Sequence, residues 1–347
     1  MNRIIRVAMI LALMVAGSLP AFSAQKEIIA AGATFPYPLY SKMFDAYNKE
    51  YGMKVNYQGI GSSGGIKELT NRTVDFAGTD AFMTDAEIKK AGGAVIHVPT
   101  CVGSVVLTYN IKGVTALSLS QSVLADIFLG KISKWNDPRI VKLNPKAKLP
   151  NIPIAVIHRS DGSGTTSIFT DFLAIVSPEW KSKVGAGKTV NWPVGLGAAK
   201  NSGVAGMVQK VPGSIGYVEL AYAMENKMPV ALIENKSGKF IKPTLESTSL
   251  AAKGTIPDDT RVSLNNTSDP KGYPIAGFTW VVLYKEQNYS GRTMDQAKSV
   301  VTLISWMTHE GQKFTSPLLY APLPSEVVKK VEKLLKSVTH NGKPVLK

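Results

Sequence analysis

The sequence contains little of what metal-binding and redox proteins need, with one cysteine and four histidines among its 347 residues. A single cysteine, Cys101, excludes a disulfide within the chain, and clustered cysteines for zinc or an iron–sulfur centre are missing. The histidines show no metal-ligand spacing, and neither a P-loop nor a dinucleotide fingerprint is present. The sequence therefore predicts no metal and no cofactor. Because Cys101 lies in an apolar stretch, we expect a buried, unreactive thiol.

Acidic residues are also scarce, since 25 Asp and Glu stand against 40 Lys and Arg, and the formal net charge is +15. This excess suits nucleic acid, an acidic surface or an anionic solute. The lysines are spread along the chain, with no long basic run and no arginine-rich arm, so we predict no nucleic-acid partner. With 44% apolar and 19% charged residues, the chain is expected to form a packed globular core.

The N-terminus is typical of a secretory signal peptide over residues 1–24. Arg3 and Arg6 precede an apolar segment at 7–15, and the small residues at 21–24 allow cleavage after Ser23 or Ala24. No later stretch approaches the roughly 20 apolar residues of a membrane span. We therefore expect a soluble, exported mature protein.

Strands and helices alternate along the rest of the chain, which predicts an α/β fold with mainly parallel sheets. Strands are predicted at 27–31, 54–58, 74–78, 152–157 and 213–218, and helices at 39–47, 66–71, 85–90, 122–129, 297–307 and 327–335. The segment 232–274 is predicted to be rich in loops. Two long apolar strands, at 95–110 and 278–284, would form two hinge strands if each crosses between lobes.

Polar or glycine-containing stretches follow four of these predicted strands. They are Thr34-Phe35, 61–65, Thr79-Asp80 and 158–166. Ligands of parallel α/β sheets bind beyond the carboxyl ends of the strands. In the fourth stretch, two glycines, hydroxyl groups, free helix amides and Arg159 indicate an anion site. The alternative is a capped helix with solvent-exposed polar residues.

Five motifs, in order over essentially the whole mature chain, resemble the periplasmic phosphate-binding proteins of Pst ABC transporters. The motifs are Gly32-Ala33-Thr34-Phe35-Pro36, residues 57–65, Val74-Asp75-Phe76 with Asp80, residues 128–132 with Trp135, and residues 159–165. The resemblance implies a two-lobed class II periplasmic-binding-protein fold and hinge closure over one inorganic phosphate. It also implies delivery to an inner-membrane ABC permease with its ATPase subunits. We accordingly predict a monomeric, non-enzymatic receptor in the periplasm.

The resemblance also implies which residues contact phosphate. They are Thr34, Phe35, Ser62, Asp80, Arg159, Ser163, Gly164 and Thr165, with Gly164 and in part Phe35 acting through backbone amides. One departure is Thr79, where a serine is common in the family. An ionised Asp80 can accept the proton that phosphate keeps near neutral pH, whereas fully ionised sulfate has none to give. Asp161, two residues after Arg159, could hold its guanidinium in place.

The predicted organisation is a signal peptide at 1–24, followed by one lobe formed from 25–103 and 277–347 and a second lobe formed from 104–276. The carboxyl ends of the strands would then meet in the cleft between the lobes.

Two other functions fit parts of the sequence. Gly61-Ser62-Ser63-Gly64-Gly65 matches the G-x-S-x-G motif of a secreted α/β hydrolase, with Ser63 as nucleophile and His309 or His340 as the base. A receptor for another oxyanion, such as sulfate or molybdate, is the closer alternative. Asp80 argues against it, because both anions are fully ionised at neutral pH.

Overall fold

The computed structural model describes residues 27–346, and the predicted signal peptide lies outside them. The strands are β1 (Glu27–Gly32), β2 (Lys54–Gly59), β3 (Phe76–Thr79), β4 (Val95–Tyr109), β5 (Ser118–Leu119), β6 (Ala155–Arg159), β7 (Leu196–Ala198), β8 (Ser214–Glu219), β9 (Leu232–Glu234), β10 (Phe240–Ile241), β11 (Ala276–Tyr284), β12 (Thr339–His340) and β13 (Lys343–Pro344). The α-helices are α1 (Tyr37–Tyr51), α2 (Ser62–Thr70), α3 (Asp85–Ala91), α4 (Gln121–Phe128), α5 (Pro138–Leu143), α6 (Gly164–Val176), α7 (Pro178–Lys183), α8 (Lys200–Lys210), α9 (Leu220–Glu225), α10 (Leu245–Ala251), α11 (Met294–Thr308) and α12 (Ser325–Lys336). Two 3₁₀ helices cover Glu310–Phe314 and Ser316–Leu318.

Eight strands form one mixed sheet in the order β2-β1-β3-β11-β4-β8-β6-β7. β1 is parallel to both β2 and β3, and β6 is parallel to both β8 and β7. β11 is antiparallel to β3 and β4, and β4 is antiparallel to β8. Two parallel groups of strands are thus joined through the two long central strands, and the predicted α/β class is confirmed.

The two long strands are buried neighbours in this sheet. β4 pairs with β11 from Val95 to Ser104 and then with β8 from Val105 to Tyr109. The register between β4 and β11 shifts at Thr279/Trp280, which is a β-bulge or irregularity of the kind that re-aims side chains. β4 therefore runs through both halves of the sheet, whereas β11 pairs only with β3 and with the part of β4 that ends at Ser104.

The helices follow the predicted apolar spacing. α1 buries Leu39, Tyr40, Met43, Phe44 and Tyr47 on one face, as the period of 3.6 residues requires. Thr84 and Glu87 form a capping box at the start of α3. The thiol of Cys101 is fully buried, and burial raises its pKa strongly, so the expectation of a buried thiol is confirmed.

The structure corrects three predicted elements. α2 begins at Ser62 rather than near residue 66, because the glycines that suggested a loop lie inside its first turns. The predicted strand at 152–157 is displaced to Ala155–Arg159, since Pro153 cannot donate to a strand ladder. The segment 232–274 is also less irregular than predicted, because it contains β9, β10 and α10.

Between residues 27 and 346, no helix combines the length and the apolar character that crossing a bilayer would demand.

Candidate functional site

The eight residues that the family resemblance implies are all buried and come from separate parts of the chain. Thr34 and Phe35 follow β1, Ser62 begins α2, and Asp80 follows β3. Arg159 ends β6, and residues 163–165 form the start of α6. The strand ends expected to carry a site are therefore the ones that supply these residues, consistent with the usual location of ligand sites in α/β sheets.

Ser62 joins the residues after β2 and β3 to those after β6. Its hydroxyl oxygen accepts hydrogen bonds from the backbone amides of Asp80 at 3.2 Å and Gly164 at 3.0 Å. A Cβ atom on Gly164 would lie 2.5 Å from Ser62 Oγ and 2.7 Å from Asp80 N, so the close approach requires glycine. Ser62, Asp80 and Gly164 thus meet at one point.

The start of α6 has the features of a helix N-terminus suited to an anion. Ser163 caps the helix, and its hydroxyl oxygen accepts the backbone N–H of Thr166 at 3.0 Å. The amides of Gly164 and Thr165 have no partner inside the helix, because they belong to its first turn, and they point into the cluster, where Gly164 N–H donates to Ser62 Oγ and Thr165 N–H to the Asp80 carboxyl. These amides and the positive end of the helix dipole favour a negatively charged ligand.

Arg159 supplies a buried positive charge beside this helix. Its side chain is 1% exposed and forms a two-point ion pair with Asp161, with Nε–Oδ1 at 2.7 Å and Nη2–Oδ2 at 2.5 Å. Partial burial raises the pKa of Asp161, but the hydrogen bonds and charge of Arg159 outweigh it, and the pKa falls below its ordinary value. Asp161 is therefore ionised and orients the guanidinium, whose Nη1 is 3.5 Å from Thr165 Oγ1.

Asp80 behaves in the opposite way. Its carboxyl is 3% exposed, and burial raises its pKa from 3.8 to about 7. A hydrogen bond from the Thr279 hydroxyl at 2.9 Å and the positive charge of Arg159 both act against this rise. Asp80 is thus a buried carboxyl that changes protonation near neutral pH, surrounded by hydrogen-bond donors.

Thr279 and Asn201 belong to this cluster, although the sequence did not indicate either one. Thr279 lies in β11, where a threonine in an apolar strand is unremarkable. Asn201 lies in the first turn of α8 and is fully buried. Its Nδ2 donates to Thr34 Oγ1 at 3.0 Å and to Thr165 Oγ1 at 3.2 Å. Because its partners are far away in the sequence, no local pattern could have identified it.

Ser63 lacks the partners of a catalytic serine. Its amide donates to Gly162 O at 3.1 Å, which ties α2 to the loop before α6. His309 instead lies against Ser305 and Glu332, and His340 lies against the carbonyl of Arg292. Over the described chain, therefore, neither histidine proposed as the base is hydrogen-bonded to Ser63. Across 27–346 there is also no group of three or more His, Cys, Asp or Glu side chains placed to hold a metal.

The chain is similar in sequence to known binding proteins. A family profile described as the PBP superfamily domain matches residues 20–310. A protein of Pasteurella multocida named phosphate-binding protein PstS is 43% identical over 312 residues, covering 88% of this chain and 89% of its own. A protein of the same name from Methanocaldococcus jannaschii is 42% identical over 328 residues, covering 87% of this chain and 84% of its own.

Solved structures share the fold at low sequence identity. A high-affinity periplasmic phosphate-binding protein solved with phosphate at pH 8.5 has a TM-score of 0.71 and 20% identity, covering 92% of this chain and 100% of its own. A phosphate-binding protein from Stenotrophomonas maltophilia has a TM-score of 0.67 and 20% identity, covering 88% of this chain and 93% of its own. The two-lobed periplasmic-binding-protein fold predicted from the sequence is thereby confirmed.

The relatives are named as binding proteins, and the hydrolase alternative is not favoured. From the matching profile, the identities above 40% and the coverage of most of each chain, it follows that this chain belongs to the PstS phosphate-binding protein family of the PBP superfamily.

Proposed function

We propose that this protein binds inorganic phosphate at the cluster formed by Thr34, Phe35, Ser62, Asp80, Arg159, Ser163, Gly164 and Thr165. The observation that carries the proposal is the composition of this buried cluster. It holds a guanidinium, hydroxyls and helix amides, all of which donate, and one carboxyl that can accept. A singly protonated phosphate offers several acceptor oxygens and one donor, so the two sets are complementary.

Asp80 selects the anion in this proposal. Its ionised form accepts the proton of phosphate, while the surrounding donors bind the remaining oxygens. Fully ionised sulfate has no proton for Asp80, and the buried carboxylate would then face an acceptor without a hydrogen bond. Leaving a buried polar group unpaired costs about 1–3 kcal/mol, and more when the group is charged.

The proposed place of action is the periplasm, where the loaded protein delivers phosphate, as a monomer, to an ABC-type import permease with its ATPase subunits. Support comes from the family, whose members carry the name phosphate-binding protein PstS. The signal-peptide pattern at 1–24 supports export. The family's name also supports a receptor rather than an enzyme.

We further propose that the lobes comprise 25–103 with 277–347, and 104–276. The change of pairing partner along β4 supports this division, since Ser104 is the last residue paired with β11 and Val105 the first paired with β8. Closure would be a hinge motion about β4 and β11, with phosphate stabilising the form in which both lobes contact it.

Calorimetric titration of phosphate-stripped protein with phosphate, and separately with sulfate, tests the function. We expect phosphate to bind and sulfate not to bind. Arg159→Met should weaken phosphate binding by at least about 30-fold, because it removes a buried charge-assisted donor.

Arg139→Met is the matched control. Arg139 makes the same two-point contact with an aspartate two residues away, Asp137, but its side chain is 47% exposed. Its loss should leave phosphate binding unchanged. The absence of heat with either anion would refute the proposed function, and equal binding of both anions would refute the role of Asp80.

A further inference from the structure

We propose that Asn201 is a positioning residue that orients the hydroxyls of Thr34 and Thr165 so that both donate to the bound anion. This inference rests on the proposed phosphate site and adds a residue that the eight family positions do not include. Asn201 is fully buried and contacts both Thr34, which follows β1, and Thr165, in the first turn of α6.

The orientation of the Asn201 amide follows from one contact. The backbone N–H of Glu219 lies 3.0 Å from Asn201 Oδ1. A backbone N–H can only donate, so the atom facing it must be the acceptor oxygen of the side chain. The amino group therefore faces Thr34 and Thr165, and it can only donate to them. Glu219, at the end of β8, thus fixes which end of the asparagine points into the site.

The acceptor capacity of the Thr34 hydroxyl is fully used by Asn201. Thr34 Oγ1 accepts from Asn201 Nδ2 at 3.0 Å and from the backbone N–H of Asn201 at 3.3 Å. A hydroxyl oxygen has two lone pairs and one hydrogen. With both lone pairs occupied, Thr34 can make its third hydrogen bond only as a donor.

The same count applies to Thr165. Its Oγ1 accepts from Asn201 Nδ2 at 3.2 Å and faces Arg159 Nη1 at 3.5 Å, and both of these nitrogens are pure donors. The O–H of Thr165 is again the only group left to make a further hydrogen bond. Asn201 therefore makes two freely rotating hydroxyls into fixed donors, which suits the acceptor oxygens of phosphate and is unsuitable for a ligand that presents a second proton.

Two substitutions separate orientation from packing. Asn201→Ala removes the shared donor, so that Thr34 keeps only the backbone N–H of residue 201 and Thr165 keeps only Arg159 Nη1. Each hydroxyl then has an open lone pair and is no longer held as a donor to the anion, and we expect phosphate affinity to fall about tenfold. Asn201→Asp keeps the shape and the contact with Glu219 N–H but replaces the donor with an acceptor. The hydroxyls would then donate to residue 201 instead of to phosphate, so we expect a larger loss than with alanine.

Asn144→Ala is the matched control for losing a buried asparagine. Asn144 has the same hydrogen-bond pattern, with Oδ1 accepting Ser118 N–H and Nδ2 donating to the carbonyls of Ser118 and Ile140. It makes no contact with the site, so its loss should lower the melting temperature without changing phosphate affinity. Melting temperatures and circular dichroism of every variant identify those that fail to fold.

A double-mutant cycle provides the deciding readout. If Asn201 acts through the threonine hydroxyls, Asn201→Ala should change phosphate affinity less than twofold in a Thr34→Val/Thr165→Val background. An undiminished tenfold loss there would overturn the inference, and so would an affinity for Asn201→Ala equal to that of Asn144→Ala. These failures differ from failure of the proposed function, in which the unmodified protein itself does not bind phosphate.

Discussion

Asp80 and Asp161 both feel the charge of the same arginine, Arg159, and the structure gives them opposite properties. Asp161 makes a two-point contact with Arg159, its side chain is 22% exposed, and its pKa is lowered. Asp80 is nearly inaccessible, accepts hydrogen bonds only from neutral groups (the hydroxyls of Thr279 and Ser62 and the amide of Thr165), and has a pKa raised to about 7. The charge of Arg159 acts in the same direction on both carboxyls, so desolvation and geometry make the difference.

The two carboxylates therefore have different roles in the proposed site. Asp161 neutralises and orients Arg159 whether or not an anion is bound. Asp80 does not form an ion pair with Arg159, and it remains available to accept a proton from the ligand. A buried carboxyl without a cationic contact is costly in its ionised form, which is why such residues are uncommon outside functional sites.

The largest expected effect is an opposite pH dependence of stability for Asp80→Asn and Asp161→Asn in the absence of phosphate. The pKa of Asp80 is higher in the folded protein than in the unfolded chain. The stability that Asp80 contributes to the folded protein is therefore complete below about pH 3.8 and is lost as the pH rises through about 7. Relative to Asp80→Asn, the unmodified protein should lose up to roughly 4 kcal/mol across this window, since one pKa unit corresponds to about 1.36 kcal/mol.

The pKa of Asp161 is lowered, so its contribution is present above its unfolded value and is lost as the pH falls through its folded value. Asp161→Asn should therefore destabilise the protein at neutral pH and have little effect in acid. Urea unfolding of both variants from pH 4 to pH 8 measures the two trends. Parallel pH profiles for the two substitutions would remove the contrast between the carboxyls.

The next largest effect concerns Gly164, at its close contact with Ser62 and Asp80. Gly164→Ala should weaken phosphate binding by roughly 2–3 kcal/mol, because the new methyl group collides with Ser62 Oγ and Asp80 N. Gly206→Ala, in α8, is the control, since its Cβ meets nothing within 4 Å. That change should raise the melting temperature and leave titration curves unaltered, because alanine favours the helix. Equal phosphate affinities in the two variants would contradict the geometry.

A smaller effect is expected for anion selectivity. Asp80→Asn should raise the ratio of sulfate to phosphate affinity by about tenfold, because an amide can donate to sulfate whereas the carboxylate repels it. Competition titrations with both anions at one pH measure this ratio. An unchanged ratio would show that Asp80 does not discriminate between them.

The smallest expected effect concerns the ion pair between Arg159 and Asp161. Asp161→Asn should change phosphate affinity by no more than about threefold, because looser positioning of Arg159 is offset by its stronger, unneutralised charge. Calorimetry at low and high salt checks this balance. A much larger loss would mean that the ion pair, rather than the net charge, governs binding.

The sequence predicted much of the site because its main residues follow buried strands. Thr34, Asp80 and Arg159 could be assigned to strand ends from apolar runs and glycines, and topology brings strand ends to one edge of a sheet. The start of α2 was misplaced, because its glycines resemble a loop. They are required for another reason, since a Cβ on Gly65 would lie 2.5 Å from Gly32 Cα in β1.

The sequence by itself determined the alternation of strands and helices, the buried thiol and the strand ends that carry polar groups, because each depends on the local pattern of apolar and polar residues. Only the tertiary structure decided which groups meet across the site. The contacts of Thr279 with Asp80 and of Asn201 with Thr34 join residues 199 and 167 positions apart. The opposite pKa shifts of Asp80 and Asp161 likewise arise from burial and pairing, which exist only once the chain has folded.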